Sequence, residues 1–146
     1  MMSTPHDELV EGANLLRPLM DANGFEFSLG EAGTGSGGNF AVGQYQRGNR
    51  MIRFSVRFGL GRVEYKVGES SITHEDFLRY SGAWGRHAFP NFGSTVQGSF
   101  VALKQDLINH VQVFLSGADA EFLSIVRARD AEPNRYKGFA ALGRRR

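Results

Sequence analysis

Apolar residues recur along this chain with two periods. Leu9, Ala13, Leu16 and Met20 follow helical spacing, whereas Phe25, Phe27 and Leu29, then Ile52, Phe54, Val56 and Phe58, then Val63, Tyr65 and Val67, alternate with polar neighbours. The first period gathers side chains on one face of a helix, and the second on one face of a pleated strand. The pattern predicts a helix opening at Thr4-Pro5-His6-Asp7 and closing at Gly24, then strands over 25–29, 39–46, 51–58 and 62–67. A hydroxyl before the helix, proline in its first turn and a nearby carboxylate all favour that start. Pro18 removes one intrahelical hydrogen bond, so a kink or early stop is expected there.

Helical spacing then returns. Thr73-His74-Glu75-Asp76 has the form of a capping box and opens a short helix to about Ser81. Phe100, Leu103, Leu107, Val111 and Phe114 make one stripe of a long helix over 96–116, ended by Gly117. Phe122, Leu123 and Val126 mark a last helix that starts at Asp119 and ends before Pro133. This order predicts an α+β fold: a four-stranded antiparallel meander with one N-terminal and two or three C-terminal helices packed mainly on one face. Residues 1–132 read as a single domain, and 133–146 as a basic tail with no predicted element.

Strand register follows from which pairs fill the core. Around Gly59-Leu60-Gly61, pairing Phe58 with Val63 sets Val56 opposite Tyr65, Phe54 opposite Val67 and Arg57 opposite Glu64. Around Gly48-Asn49, a three-residue loop sets Phe40 against Val56 and Val42 against Phe54, while a two-residue turn sets Ala41 and Gly43 there. The three-residue loop is expected, because it brings the larger side chains inward.

Composition narrows the class. With 146 residues, 41% of them hydrophobic and 22% charged, the chain suits one globular core. The absence of cysteine excludes disulfides, thiolate zinc sites and a cysteine nucleophile, and points to a reducing, cytoplasmic setting. His6, Asp7, Glu8 and Glu11 occupy the place where an export signal would be basic and then apolar, and no apolar run has membrane-spanning length. The net charge of +2 is uneven: from Arg127 onward seven basic residues outnumber two acidic ones, leaving −3 for the rest.

Candidate chemistry is sparse. Gly33-Thr34-Gly35-Ser36-Gly37-Gly38 is glycine-rich, but it joins two strands and has no adjacent lysine, so it is not a Rossmann or Walker loop. The remaining motifs of a kinase-type glycine loop are absent, and Ser36 lacks the Gly-x-Ser-x-Gly elbow of a hydrolase. His6, His74, His87 and His110 are scattered without HxxxH or HExxH spacing, so no metal site or cofactor is expected. His110 lies four residues after Asp106 and reads as its surface ion partner, while His74 reads as part of a helix start. Glu75 and Asp76 are neighbours on a helix and do not face each other as a glycosidase pair would. No catalytic role is assigned.

The stretch from Gly82 to Gly93 stands apart, with Trp84, Arg86, His87, Phe89 and Phe92 in one glycine-punctuated connection. Trp and Arg are favoured at binding hot spots, although the same aromatics could cover the open end of a core. The leading expectation is a noncatalytic protein-binding module, adaptor or inhibitor-like, using this loop and the adjoining sheet edge. The first alternative is a nucleic-acid-associated protein using Arg53, Arg57, Arg62 and Lys66 on the polar sheet face, near Arg50, with the tail residues Arg144, Arg145 and Arg146. Few aromatics are expected on that face, since Phe40 and Phe92 are assigned to the core. A small-molecule pocket between sheet and helices is the third reading, and an edge strand offers a place for a second copy to pair.

Overall fold

The computed structural model describes residues 4–35, 38–91 and 94–132. Helix α1 (Pro5–Ala22) leads into strands β1 (Glu26–Gly35), β2 (Gly38–Arg47), β3 (Arg50–Val56), β4 (Leu60–Val67) and β5 (Ser70–Thr73). Helices α2 (His74–Ser81), α3 (Val96–His110), α4 (Gln112–Ser116) and α5 (Asp119–Ala131) follow. The sheet is an antiparallel meander in the order β1-β2-β3-β4-β5, with the helices packed on one face. It has five strands where four were expected. The addition is β5, a short segment whose only buried side chain is Ile72, too brief to show a period.

Both expected registers differ. Gly48-Asn49 forms the two-residue turn, so Ala41 faces Val56, Gly43 faces Phe54 and Tyr45 faces Ile52. A change of one residue turns every β2 side chain over, and Phe40 and Val42 therefore leave the core face. The small residues belong inside because the opposite layer supplies the volume. A Cβ at Gly43 would lie 2.8 Å from Leu9 Cδ2 of α1, and the Phe100 ring of α3 packs directly against Gly12. The Tyr45 hydroxyl, which burial pushes up to about 12, donates to the Ala13 carbonyl at 2.6 Å.

Between β3 and β4, Val63 lies opposite Phe54 and Tyr65 opposite Ile52, a slide that keeps the same side chains inward but removes Phe58 from pairing. Phe58 is 87% exposed in the turn. Glu64 pairs across from Arg53 and not from Arg57. Alternation had fixed the inward face of β3 and β4, and it cannot fix the stagger.

Arg50 is also placed inward by this register. Its guanidinium donates to the carbonyls of Phe114 at 2.7 Å and Gly117 at 2.6 Å, and to the Asp119 carboxylate at 2.6 Å. That hydrogen bond holds the Asp119 carboxyl below the usual carboxylate range. Arg47, on the other side of the turn, donates to the carbonyls of Asn23 and Leu115 at 2.6 and 2.8 Å. Both arginines thus satisfy carbonyls left over at helix ends.

Helix α1 continues through Pro18 to Ala22, with Leu16 and Met20 fully buried on the inner side. Gly24, at φ +82°, then takes the left-handed conformation that closes it. The expected long helix is divided at Val111, whose φ of −122° and ψ of 26° leave helical geometry. The break lets Val111, Phe114 and Leu115 all bury, and the Gln112 side chain donates to the Ile108 carbonyl at 3.0 Å. The predicted bounds of α2 and α5 agree with the structure, with Thr73 accepting from the Asp76 N–H at 3.3 Å as the α2 cap.

Close packing at Gly43 can be tested by denaturation. Gly43→Val should cost about 1–3 kcal/mol in urea unfolding by forcing Leu9 aside. Gly59→Ala, where no atom lies within 4 Å of the new Cβ, should change stability by less than about 0.5 kcal/mol. Equal effects at the two positions would show that α1 is not seated through Gly43.

Candidate functional site

The connection between α2 and α3 begins at Gly82, whose φ of +86° ends α2 and sends the chain outward. The N–H groups of Ala83 and Trp84 both donate to the Leu78 carbonyl, at 2.8 and 3.1 Å. Ala83 is buried, and the chain then rises to the surface and dips inward again at Phe89.

That second descent is held by a polar cluster. Asp106 projects from α3 and accepts hydrogen bonds from the backbone N–H of Ala88 at 2.7 Å and of Phe89 at 2.9 Å. Its Oδ2 also lies 2.9 Å from His74 Nε2, and His74 Nδ1 lies 2.6 Å from the Tyr65 hydroxyl. Tyr65 and His74 are wholly inaccessible, and Asp106 is 1% exposed. Burial, followed by the Asp106 charge, raises the Tyr65 hydroxyl well above its ordinary value, so it keeps its proton while sharing a hydrogen bond with Nδ1. His74 then presents Nε2–H to Asp106. Burial raises the Asp106 carboxyl, but the bonds from His74, Ala88 and Phe89 together outweigh burial and hold it below its usual value. A histidine between a carboxylate and a hydroxyl has the parts of a proton relay, and here all three side chains are closed off from the surface. Their role is to fix the loop to α3, to the start of α2 and to β4.

Above this anchor, the exposed residues form a small platform. Trp84 is 41% exposed, and its ring stacks on that of His87, with centroids 4.0 Å apart and an interplanar angle of 14°. The Arg79 guanidinium lies 4.5 Å from the Trp84 ring centroid. The Gly85 N–H donates to His87 Nδ1 at 3.2 Å, and Arg86 donates to the Gly82 carbonyl at 3.2 Å. Next to the platform, Arg86, Tyr80, Asn109, His110, Glu121 and Ile125 are among the residues lining a groove of about 480 Å³.

Of the five loop residues expected to form a contact surface, Trp84, Arg86 and His87 come together outside. Phe89 is a correction: it is 3% exposed, with its ring 5.6 Å from His74, and belongs to the core. Phe92 lies outside the described residues, as do Arg144, Arg145 and Arg146. His110 does not pair with Asp106; its Nε2 faces the Arg86 carbonyl at 3.1 Å. Sequence reasoning missed Asp106, His74 and Tyr65 as a group. A hint existed, since Asp106 follows Leu103 by one helical turn and so borders the buried stripe. A carboxylate there needs partners, but those partners come from elements remote in sequence.

The sheet face away from the helices carries two rows of mainly polar residues, Glu26-Gln46-Met51-Lys66-Ser71 and Ser28-Gln44-Arg53-Glu64-Thr73. Arg62 pairs with Glu64 at 3.1 Å, and Arg57 lies toward the turn end, 5.6 Å from the Phe40 ring centroid. Between sheet and helices, Tyr45, Phe54, Tyr65, Phe100 and Phe114 are all fully buried. Among the described residues no three His, Asp or Glu side chains converge as metal ligands, and no helix is long and apolar enough to cross a membrane. Comparison with protein-family models, with curated proteins and with solved structures finds no match.

The buried cluster predicts a pH dependence. The folded carboxyl of Asp106 titrates below its unfolded value, so its stabilisation is complete above about pH 4 and disappears as pH falls through the lower folded value. Asp106→Asn should cost about 3 kcal/mol at neutral pH, and that difference should shrink in acid. Urea unfolding of both proteins from neutral to acidic pH measures this; coincident curves at neutral pH would contradict the anchoring role.

Proposed function

We propose that this chain is a noncatalytic protein-binding module, adaptor or inhibitor-like, whose contact surface is the Trp84 platform with the groove beside it. The observation that supports the reading is a large aromatic left exposed yet held in place by Arg79 and His87, on a loop tied down through Asp106. Such a side chain loses little freedom when a partner covers it, and it offers wide apolar contact together with hydrogen-bonding neighbours. Arg86 and Glu121 at the groove supply charges of both signs for orienting a bound segment.

The sheet edge nearest in sequence, β5, contributes less than first expected. Arg129 of α5 donates to the Ser71 carbonyl at 2.8 Å, occupying one of the groups an added strand would need. Recognition in this reading therefore rests on the loop and the helical groove. The lack of cysteine fits work in a reducing, cytoplasmic compartment.

Immobilised full-length protein should retain a discrete partner from nuclease-treated lysate of its own host. Trp84→Ala and Arg86→Ala should each weaken that partner's affinity at least about tenfold in titration calorimetry. Because both side chains are exposed, urea unfolding of the variants should stay close to that of the parent protein. A partner bound equally well by parent and variants would overturn this surface.

A further inference from the structure

The register adopted by β2 and β3 creates a second surface. Ala41 and Val56 pair with their side chains in the core, so Phe40, one residue before Ala41 on β2, and Arg57, just past the end of β3, lie on the face away from the helices. Phe40 is half-buried beneath the Arg57 guanidinium, and Phe58 follows at once in the turn, almost fully exposed. Arg53, Arg62, Val42, Ser55 and Glu64 line an adjacent depression of about 320 Å³. Two phenyl rings and three guanidinium groups are thereby contributed by β2, β3, β4 and the turn between β3 and β4. Glu64, the carboxylate lining that depression, is already paired with Arg62.

We propose that this end of the sheet binds single-stranded nucleic acid, with a base stacking on Phe58 and phosphates meeting Arg53, Arg57 and Arg62. Stacking accepts any base, and guanidinium groups suit phosphate in both charge and geometry. A duplex would keep its bases out of reach of the rings. Arg53, Arg57 and Arg62 outnumber Glu64 at this site, and that local positive charge is the complementarity that favours a polyanion, whereas farther along the face Lys66 lies with Glu69. The site shares no residue with the Trp84 platform, so either can fail without the other.

Fluorescence anisotropy with a labelled oligothymidylate of about 12 nucleotides tests the proposal on the full chain. Binding should weaken strongly between about 50 and 200 mM salt. Phe58→Ala should reduce affinity about tenfold, and Phe58→Tyr should restore it. Replacing Arg53 and Arg57 together with Gln should weaken binding and make its salt dependence shallower. Three results would overturn the proposal: no binding at low salt, affinity unchanged by Phe58→Ala, or equal competition by a duplex or by polyglutamate, which would reduce the surface to a charge attraction.

Discussion

A carboxylate inside a protein must be given hydrogen-bond donors, and Asp106 is the group around which this molecule meets that demand. Its three donors come from His74 at the start of α2 and from two backbone N–H groups of the following loop. His74 in turn carries the Tyr65 hydroxyl of β4. One ion on α3 therefore draws sheet, helix and loop to a common point. An unpaired charge there would cost several kcal/mol, so the loop conformation is coupled to the integrity of the core. The exposed Trp84 platform belongs to the loop that these bonds tie down.

The second organising constraint is volume. Gly12 and Gly43 leave space that Phe100 and Leu9 fill, and this fit seats α1 between the sheet and α3. Turning β2 so that Gly43 and Ala41 face inward sends Phe40 and Val42 to the other side. The same choice that closes the core thus equips the open face with an aromatic ring, and the slide of β3 against β4 adds Phe58. Packing on one side of the sheet determines what the other side can offer.

The two candidate surfaces differ in physical character. The platform at Trp84 adjoins a groove between helices and carries mixed charge, which suits a folded or peptide-like partner. The turn end of the sheet is positive and aromatic, which suits a flexible polyanion. Arg47 and Arg50, although cations of the same strands, serve neither surface, because helix-end carbonyls take up their donors.

By itself the sequence determined the class of fold, the limits of α2 and α5, the inward positions of α1 and the face of strands β3 and β4. These follow from periodicity, capping residues and proline, all local properties of the chain. It also drew attention to Trp84, Arg86 and His87, whose residue types suit recognition. Only the tertiary structure decided that Phe89 is core and Phe58 is surface, that Asp106 pairs with His74 and not with His110, and that β2 turns its small residues inward. Each of those outcomes depends on which side chain from a distant segment fills a given space or satisfies a given charge. Periodicity reports which face is apolar, whereas packing chooses the partner across it.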